Sequence, residues 1–276
     1  MNQTDFSFLS NLLKEQSGIV LTADKFYMLE SRLMPVAREF NMSGLDDLTL
    51  ALRQRDSALT AAFTEAMTTN ETLFFRDIKP FAQFKDMVLP YLFKARANTK
   101  TIRILSAGAS SGQEAYSIAM IVKDALEKNP DWNIEIVGID ISSTMINKAR
   151  EGMYSQFEVQ RGLPIRQLLR HFSKQDDQWQ IDHSLRAMVQ FKRWNLLDDI
   201  APLGKFDVIF CRYVIRSFDS PLKTRILSKF ANEMPADGCL FLGLNETVLG
   251  FSSRFKLIKD VKGLYAKSPD SSASAS

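Results

Sequence analysis

The chain of 276 residues has little of what metal and redox chemistry use: two cysteines, Cys211 and Cys239, and two histidines, His171 and His183. Two cysteines cannot form a disulfide scaffold and suit a reducing compartment. A site with nitrogen and sulfur ligands would need all four side chains to converge, so no metal is expected. No apolar run approaches the roughly 18 residues that span a bilayer. The opening MNQTDFSFLS lacks a basic stretch leading into an apolar one, so a cytoplasmic protein without membrane insertion is expected. Charge of one sign is also scarce. Lys and Arg number 35 against 32 Asp and Glu, a net +3 with the basic residues dispersed, which does not by itself indicate a nucleic-acid partner. There is no internal repeat. What is present is ordinary: 45% hydrophobic and 24% charged residues, enough for a main domain and a smaller one.

Residues 1–95 read as an N-terminal all-α domain. Phe6, Leu9 and Leu13 share a stripe. Thr22 is placed to cap a second helix with Phe26, Leu29, Leu33, Val36 and Phe40 on its core face, and Pro35 should kink or divide it. Leu45, Leu48 and Leu52 mark a third helix and Leu59, Phe63 and Met67 a fourth. Lys25, Arg32, Arg38, Arg53 and Arg55 lie on polar faces, either simply solvated or offering a docking surface to an acidic helix. Residues 77–97 read as a connecting helix interrupted at Pro90. From Thr101 onward strand and helix patterns alternate, which implies an α/β fold with a parallel sheet covered on both faces. This second domain is expected over 96–267, with an excursion after residue 151 holding a small hairpin near 172–190. An antiparallel pair at 255–258 and 263–266 closes the sheet, and the Ser/Ala-rich tail 268–276 is expected to be disordered.

Two stretches carry the chemistry. Ile102, Ile104 and Leu105 run into Ser106-Ala107-Gly108-Ala109-Ser110-Ser111-Gly112, and a helical pattern starts at Gln113-Glu114. Strand, small-residue turn and helix let backbone amides approach a ligand. About thirty residues on, a second apolar run ends at Asp140, where a carboxylate can accept both hydroxyls of a ribose. A nicotinamide site would favour G-x-G-x-x-G, and the middle glycine is missing; no Walker A lysine follows either. S-adenosylmethionine is the remaining common fit. Asp140 would take the ribose and Asn195-Leu196 the adenine edge. The amino-acid end would lie against Ala107, Gly108 and Gly112, with Glu114 on the ammonium. Neither a Pro-Pro-Tyr amino-methylation motif nor a Pro-Cys nucleophile is present, which argues against nucleic-acid methylation.

These residues carry a resemblance. Ser106–Met120 resembles the A-A-x-S-T-G-E-E-P-Y-S-I-A-M pattern of the CheR chemoreceptor glutamate methyltransferases. N-E-T-x-F-F-R is present as Asn70–Arg76 and N-L-L as Asn195–Leu197. F-D-x-I-F-C-R-N-V-x-I-Y-F is approximated by Phe206–Phe218. The likeness spans nearly the whole chain. It implies a Rossmann-like methyltransferase sheet that moves a methyl group from S-adenosylmethionine to glutamate side chains of membrane chemoreceptors, leaving S-adenosylhomocysteine. In that family, residues matching Asn70, Thr72, Arg76, Glu114, Asp140, Asn195, Leu196, Arg212 and Tyr213 line the cofactor site. The helical domain resembles the part that docks on the receptor's cytoplasmic helical bundle, and a monomer is expected.

The chain also departs from the pattern. The family Asn is Tyr213, its Tyr is Ser217 preceded by Arg216, the first Glu of G-E-E is Gln113, and the later G-H-S-E is Gly243–Glu246. The segment between Phe172 and Val189 is shorter than in members that read a receptor-tail peptide, which implies tail-independent docking. The family tyrosine borders the acceptor, so Arg76 and Ser217 are the candidate catalytic positions. A relative that binds cofactor or receptor without turnover is the alternative. A glutamate side chain, ordinarily titrating at about 4.3, is already ionised at neutral pH, so no general base is needed. Alignment can supply roughly 7–11 kcal/mol.

Overall fold

Leucine and phenylalanine recur at helical spacing through the first quarter of the chain, and helices form there. The computed structural model describes residues 3–22 and 25–268. The first unit comprises α1 (Gln3–Ser17), α2 (Phe26–Glu39), α3 (Leu45–Arg53) and α4 (Ser57–Met67). Its core is Leu9, Leu13, Leu29, Leu33, Leu48, Leu52 and Phe63, all essentially inaccessible. Asp56 caps α4 by accepting from the Leu59 amide at 2.8 Å. Two local expectations change. Thr22 does not cap α2: its carbonyl accepts from the Lys25 amide, and Lys25 precedes the helix without a side-chain cap. Pro35 does not divide α2; the carbonyl that loses its donor belongs to exposed Ser31, which solvent can reach.

The basic face of this unit is partly committed to structure. Arg32 donates to the carbonyls of Met67 and Thr68 at 3.0 and 2.9 Å, closing the end of α4. Arg53 pairs with Asp5 and lies 4.4 Å from the Phe8 ring centre, and Arg55 makes a two-bond pair with Glu15. Residues 217–222 group with these helices. There the Ser217 carbonyl accepts from the Val20 amide, and Lys14 pairs with Asp219.

The second unit is built on a seven-stranded sheet. Ten strands occur after residue 100: β1 (Thr101–Ala107), β2 (Asn133–Asp140), β3 (Met153–Ser155), β4 (Phe172–Gln175), β5 (Gln178–Ile181), β6 (Val189–Arg193), β7 (Val208–Cys211), β8 (Cys239–Leu242), β9 (Phe255–Leu257) and β10 (Leu264–Lys267). The main order is β6-β2-β1-β7-β8-β10-β9, with β10 antiparallel to both of its neighbours and the rest parallel. The strand order reverses at β1/β7, the place where ligands sit on open α/β sheets, outside the carboxyl ends of the strands. The excursion forms a separate three-stranded sheet, β3-β5-β4. From residue 269 onward the tail lies outside the described residues; Ser268 itself donates to the Arg254 carbonyl.

The units divide between Thr69 and Asn70 rather than near residue 95. The reason is packing. Phe74, Phe81, Phe84, Val88, Leu89 and Leu92 belong to the sheet's own core with Tyr116, Phe210 and Phe241. The connecting helix runs through Pro90 by widening beforehand: Phe84–Val88 is a π-helical turn, and Leu89–Ala95 resumes with the proline in its first turn, where no donor is needed.

Candidate functional site

β1 ends buried, and the chain must reverse sharply before the helix Gln113–Leu126. Gly108 and Gly112 adopt φ of +80° and +95°. A Cβ on Gly108 would stand 2.3 Å from a Val214 methyl, and one on Gly112 about 3.0 Å from Ala149. Glycine is therefore required by conformation and by space. The amides of Gly108 and Ala109 both donate to the Ile139 carbonyl, which ties the turn to the end of β2. Asp140 is 9% exposed there. Its carboxylate accepts from the Ser110 amide at 2.8 Å and the Ser142 amide at 2.9 Å. A carboxylate offers about four acceptor positions, so two amides fix its orientation and still suit it to a diol.

β6 pairs with β2 so that Asp140 lies opposite Arg193, and the Trp194 amide donates to the Asp140 carbonyl. Asn195 thus emerges beside Asp140, and its side-chain oxygen accepts from the Leu197 amide. A residue that sequence reasoning missed secures this loop. Lys229, on the helix Ser220–Asn232, donates to the carbonyls of Leu196, Leu197 and Asp198 at 3.0, 2.8 and 2.5 Å. Burial pulls its ammonium below the usual lysine range. Nothing local marks Lys229, because three converging carbonyls exist only in the fold.

The Asn70–Arg76 segment is clamped to the first turn. The Ser110 hydroxyl donates to the Asn70 carbonyl and the Phe75 amide to the Ser117 hydroxyl, both at 2.9 Å. Thr72 is half-buried in the same stretch. Phe75, Asp77 and Ile78 all have positive φ, a strained turn that presents Arg76 and Asp77 side by side. Arg212 is the centre of the charge cluster, its side chain 1% exposed. It donates to Glu114 at 2.9 Å, to Asp77 at 2.6 Å and to the Arg76 carbonyl at 2.7 Å. Glu114 also accepts from the Ser106 hydroxyl at 2.8 Å. A guanidinium this deeply buried requires such partners.

Tyr213 follows at φ +64°, a left-handed conformation suited to asparagine and strained for an aromatic. Three contacts hold it. Its hydroxyl donates to Asp77 at 2.5 Å, its amide donates to Glu246 at 2.6 Å, and the Arg76 guanidinium lies 4.0 Å from its ring centre. Burial first, then Asp77, raises its phenol above the ordinary value. Glu246 collects three amides: Tyr213, Gly243 at 2.8 Å and Arg216 at 3.0 Å. Asp77 and Glu246 carried no role in the sequence reading. Their signal was adjacency, Asp77 directly after the Asn70–Arg76 motif and Glu246 at the end of a recognised stretch.

Asn70, Arg76, Gly108, Gly112, Glu114, Asp140, Arg212 and Tyr213 thus gather in the sheet unit, with Asn195 and Leu196 at the neighbouring strand tip. Ser217 groups with the helical segment.

Residues 70–264 match the family description "CheR methyltransferase, SAM binding domain", and residues 4–68 match "CheR methyltransferase, all-alpha domain". The chain belongs to the CheR methyltransferase family. It is an S-adenosylmethionine-dependent methyltransferase. Among relatives, a protein named chemotaxis protein methyltransferase from Vibrio parahaemolyticus is 35% identical, covering 97% of this chain and 98% of its own. Chemotaxis protein methyltransferase 1 of Pseudomonas aeruginosa is also 35% identical, over 94% and 96%. The Borreliella burgdorferi chemotaxis protein methyltransferase is 32% identical, over 91% and 90%. Among solved structures, PKMT2 from Rickettsia typhi overlaps 52% of this chain and 21% of its own at 20% identity, with a TM-score of 0.33. The CheR description thus covers both units, and its boundary between residues 68 and 70 falls where the units divide.

Proposed function

We propose that this CheR-family enzyme methylates glutamate side chains of membrane chemoreceptors, forming methyl esters that serve chemotactic adaptation. The observation that carries the reading is near-full-length likeness, helical unit included, to proteins named chemotaxis methyltransferases. The helical unit would dock on the receptor's cytoplasmic helical bundle; Lys25 and Arg38, which form no ion pair among the described residues, are the basic side chains left for that contact. No described helix is long and apolar enough to cross a membrane.

The residues present fit the donor. Asp140, oriented by two amides, suits the ribose diol, and the Asn195–Leu196 loop, braced by Lys229, suits the adenine. Gly108 and Gly112 leave the first turn open to close approach. Asn70, Thr72, Arg76, Glu114, Arg212 and Tyr213 would surround the amino-acid end, with Glu114 facing the ammonium while Arg212 fixes its carboxylate. When bound, S-adenosylmethionine would supply an activated methyl carbon on its sulfonium and depart as S-adenosylhomocysteine. Arg76 would orient the acceptor carboxylate. No side chain needs to remove a proton. Nor is Cys211 a nucleophile: burial pushes its thiol well above the usual range.

The test combines labelled S-adenosylmethionine with chemoreceptor membranes, where base-labile methyl ester is expected. Cofactor binding without ester would instead make the chain a binding relative. Asp140→Ala should weaken S-adenosylhomocysteine binding more than tenfold, since two hydrogen bonds to a charged group are worth roughly 1.5–3 kcal/mol each. Unchanged affinity in calorimetry would remove Asp140 from the site.

A further inference from the structure

We propose that Arg216 is a second acceptor-recognising cation of this enzyme, besides Arg76, seated by Tyr213 to receive a carboxylate of the substrate. The inference rests on the reading that the acceptor is a glutamate side chain. Three guanidiniums surround the Tyr213 ring, with Arg76, Arg216 and Arg212 at 4.0, 5.2 and 5.6 Å from its centre. Two already have oxygen partners. Arg212 bonds Glu114 and Asp77, and Arg76 bonds the Glu71 carbonyl at 2.8 Å with the Glu71 carboxylate 3.6 Å away. The Arg216 guanidinium pairs with no carboxylate among the described residues, and its side chain is exposed. Glu246, on the loop after β8, takes the Arg216 backbone amide at 3.0 Å and feels its charge, but its carboxylate is already answered by two further amides.

Three of the positions that depart from the family pattern lie within one loop. Where that pattern has Asn, Ile and Tyr, this chain has Tyr213, Arg216 and Ser217. Two of these substitutions touch each other, and the aromatic lost at 217 is replaced by one at 213. Tyr213 is kept at a strained φ by bonds at both ends, and strain of this kind persists only where surrounding contacts over-determine it. The outcome is a planar ring carrying a cation on the loop after β7, beside the strand-order reversal. A guanidinium resting on an aromatic face is partly desolvated, and its planar fork still matches a carboxylate with two parallel hydrogen bonds. Asparagine and isoleucine could build no such device.

The experiment measures methyl-ester formation on chemoreceptor membranes against receptor concentration, with S-adenosylhomocysteine affinity measured separately by calorimetry. Arg216→Ala should raise the acceptor KM at least tenfold and leave the S-adenosylhomocysteine Kd within twofold. Arg216→Lys should recover part of the loss, since it restores charge without the fork. The wild-type KM should also rise more steeply with salt than that of Arg216→Ala. An unchanged acceptor KM, or a Kd that weakens in step with it, overturns the assignment. If the wild-type enzyme makes no ester on these membranes, the glutamate reading itself fails and the assignment falls with it.

Discussion

Removing the Glu246 carboxylate should destabilise the sheet unit by about 3 kcal/mol and release the loop that carries Tyr213 and Arg216. The residue is 7% exposed, and its two oxygens accept from three amides, those of Tyr213, Gly243 and Arg216. Hydrogen bonds to a charged group contribute roughly 1.5–3 kcal/mol each, and a buried donor left alone costs about 1–3 kcal/mol. The Gly243 amide is buried, while the other two are half-buried and can regain water. The sum is further reduced because burial of the carboxylate is itself unfavourable: desolvation raises its pKa despite the three amides. Those opposing terms leave a net loss of about 3 kcal/mol for Glu246→Ala, out of a total stability of roughly 5–15 kcal/mol. Glu246→Gln keeps the volume and one carbonyl oxygen, but its NH2 group would face an amide donor, and about 2 kcal/mol should be lost. All three tryptophans, Trp132, Trp179 and Trp194, lie in the sheet unit, so urea titration followed by tryptophan fluorescence reads that unit alone. A loss below 1 kcal/mol for the alanine variant, or a glutamine variant as stable as wild type, would refute the view that these three bonds order the loop.

Two further outcomes test the scaffold. Gly162 has φ +87°, and a Cβ there would stand 2.1 Å from the Phe74 carbonyl oxygen, so Gly162→Ala must displace the Asn70–Arg76 segment; S-adenosylhomocysteine affinity should fall at least tenfold by calorimetry, and unchanged affinity would show that this segment does not line the site. His171 is 1% exposed with neither ring nitrogen partnered, and burial first, then Lys123 and Arg170, lowers its pKa from 6.5. The unfolded chain therefore binds the extra proton as pH falls below about 6.5, and stability is lost until the folded value is passed, with a slope of at most about 1.4 kcal/mol per pH unit. His171→Phe should flatten that part of the wild-type pH–stability curve, and two parallel curves would exclude the histidine as its source.

How much was legible in the sequence depends on whether a residue's role was local. The apolar runs announced every parallel strand of the main sheet; β7 and β8 are buried on both faces and apolar throughout, whereas β6 buries only Val189 and Phe191. The glycines at 108 and 112 were legible too, since a strand-to-helix reversal this tight needs them. The boundary near residue 95 was set by helical content, whereas the chain divides by packing: Phe74, Phe81 and Phe84 look like any amphipathic helix until the sheet they cover is known. That Pro35 leaves α2 undivided was not legible for a related reason, since its rule concerns an unmet carbonyl and exposure decides whether that matters. Lys229 and Asp77 act across 31 to 135 residues of chain separation, and no periodicity encodes such a distance.

The charge cluster explains how a site crowded with ionisable groups can leave the chemistry to donor and acceptor. Glu114 and Asp77 are bound to Arg212, and Glu246 is saturated by amides. The phenols of Tyr116 and Tyr154 are raised by burial, and their hydroxyls donate to the carbonyls of Ala149 and Ser111. Each of these groups is engaged in hydrogen bonds within the fold. A sulfonium and a carboxylate need neither acid nor base; they need to meet in line, away from competing nucleophiles. A cluster whose internal carboxylates are already paired protects the methyl carbon from the enzyme itself. On the proposed reading, Arg216 is then free to help choose which external carboxylate arrives.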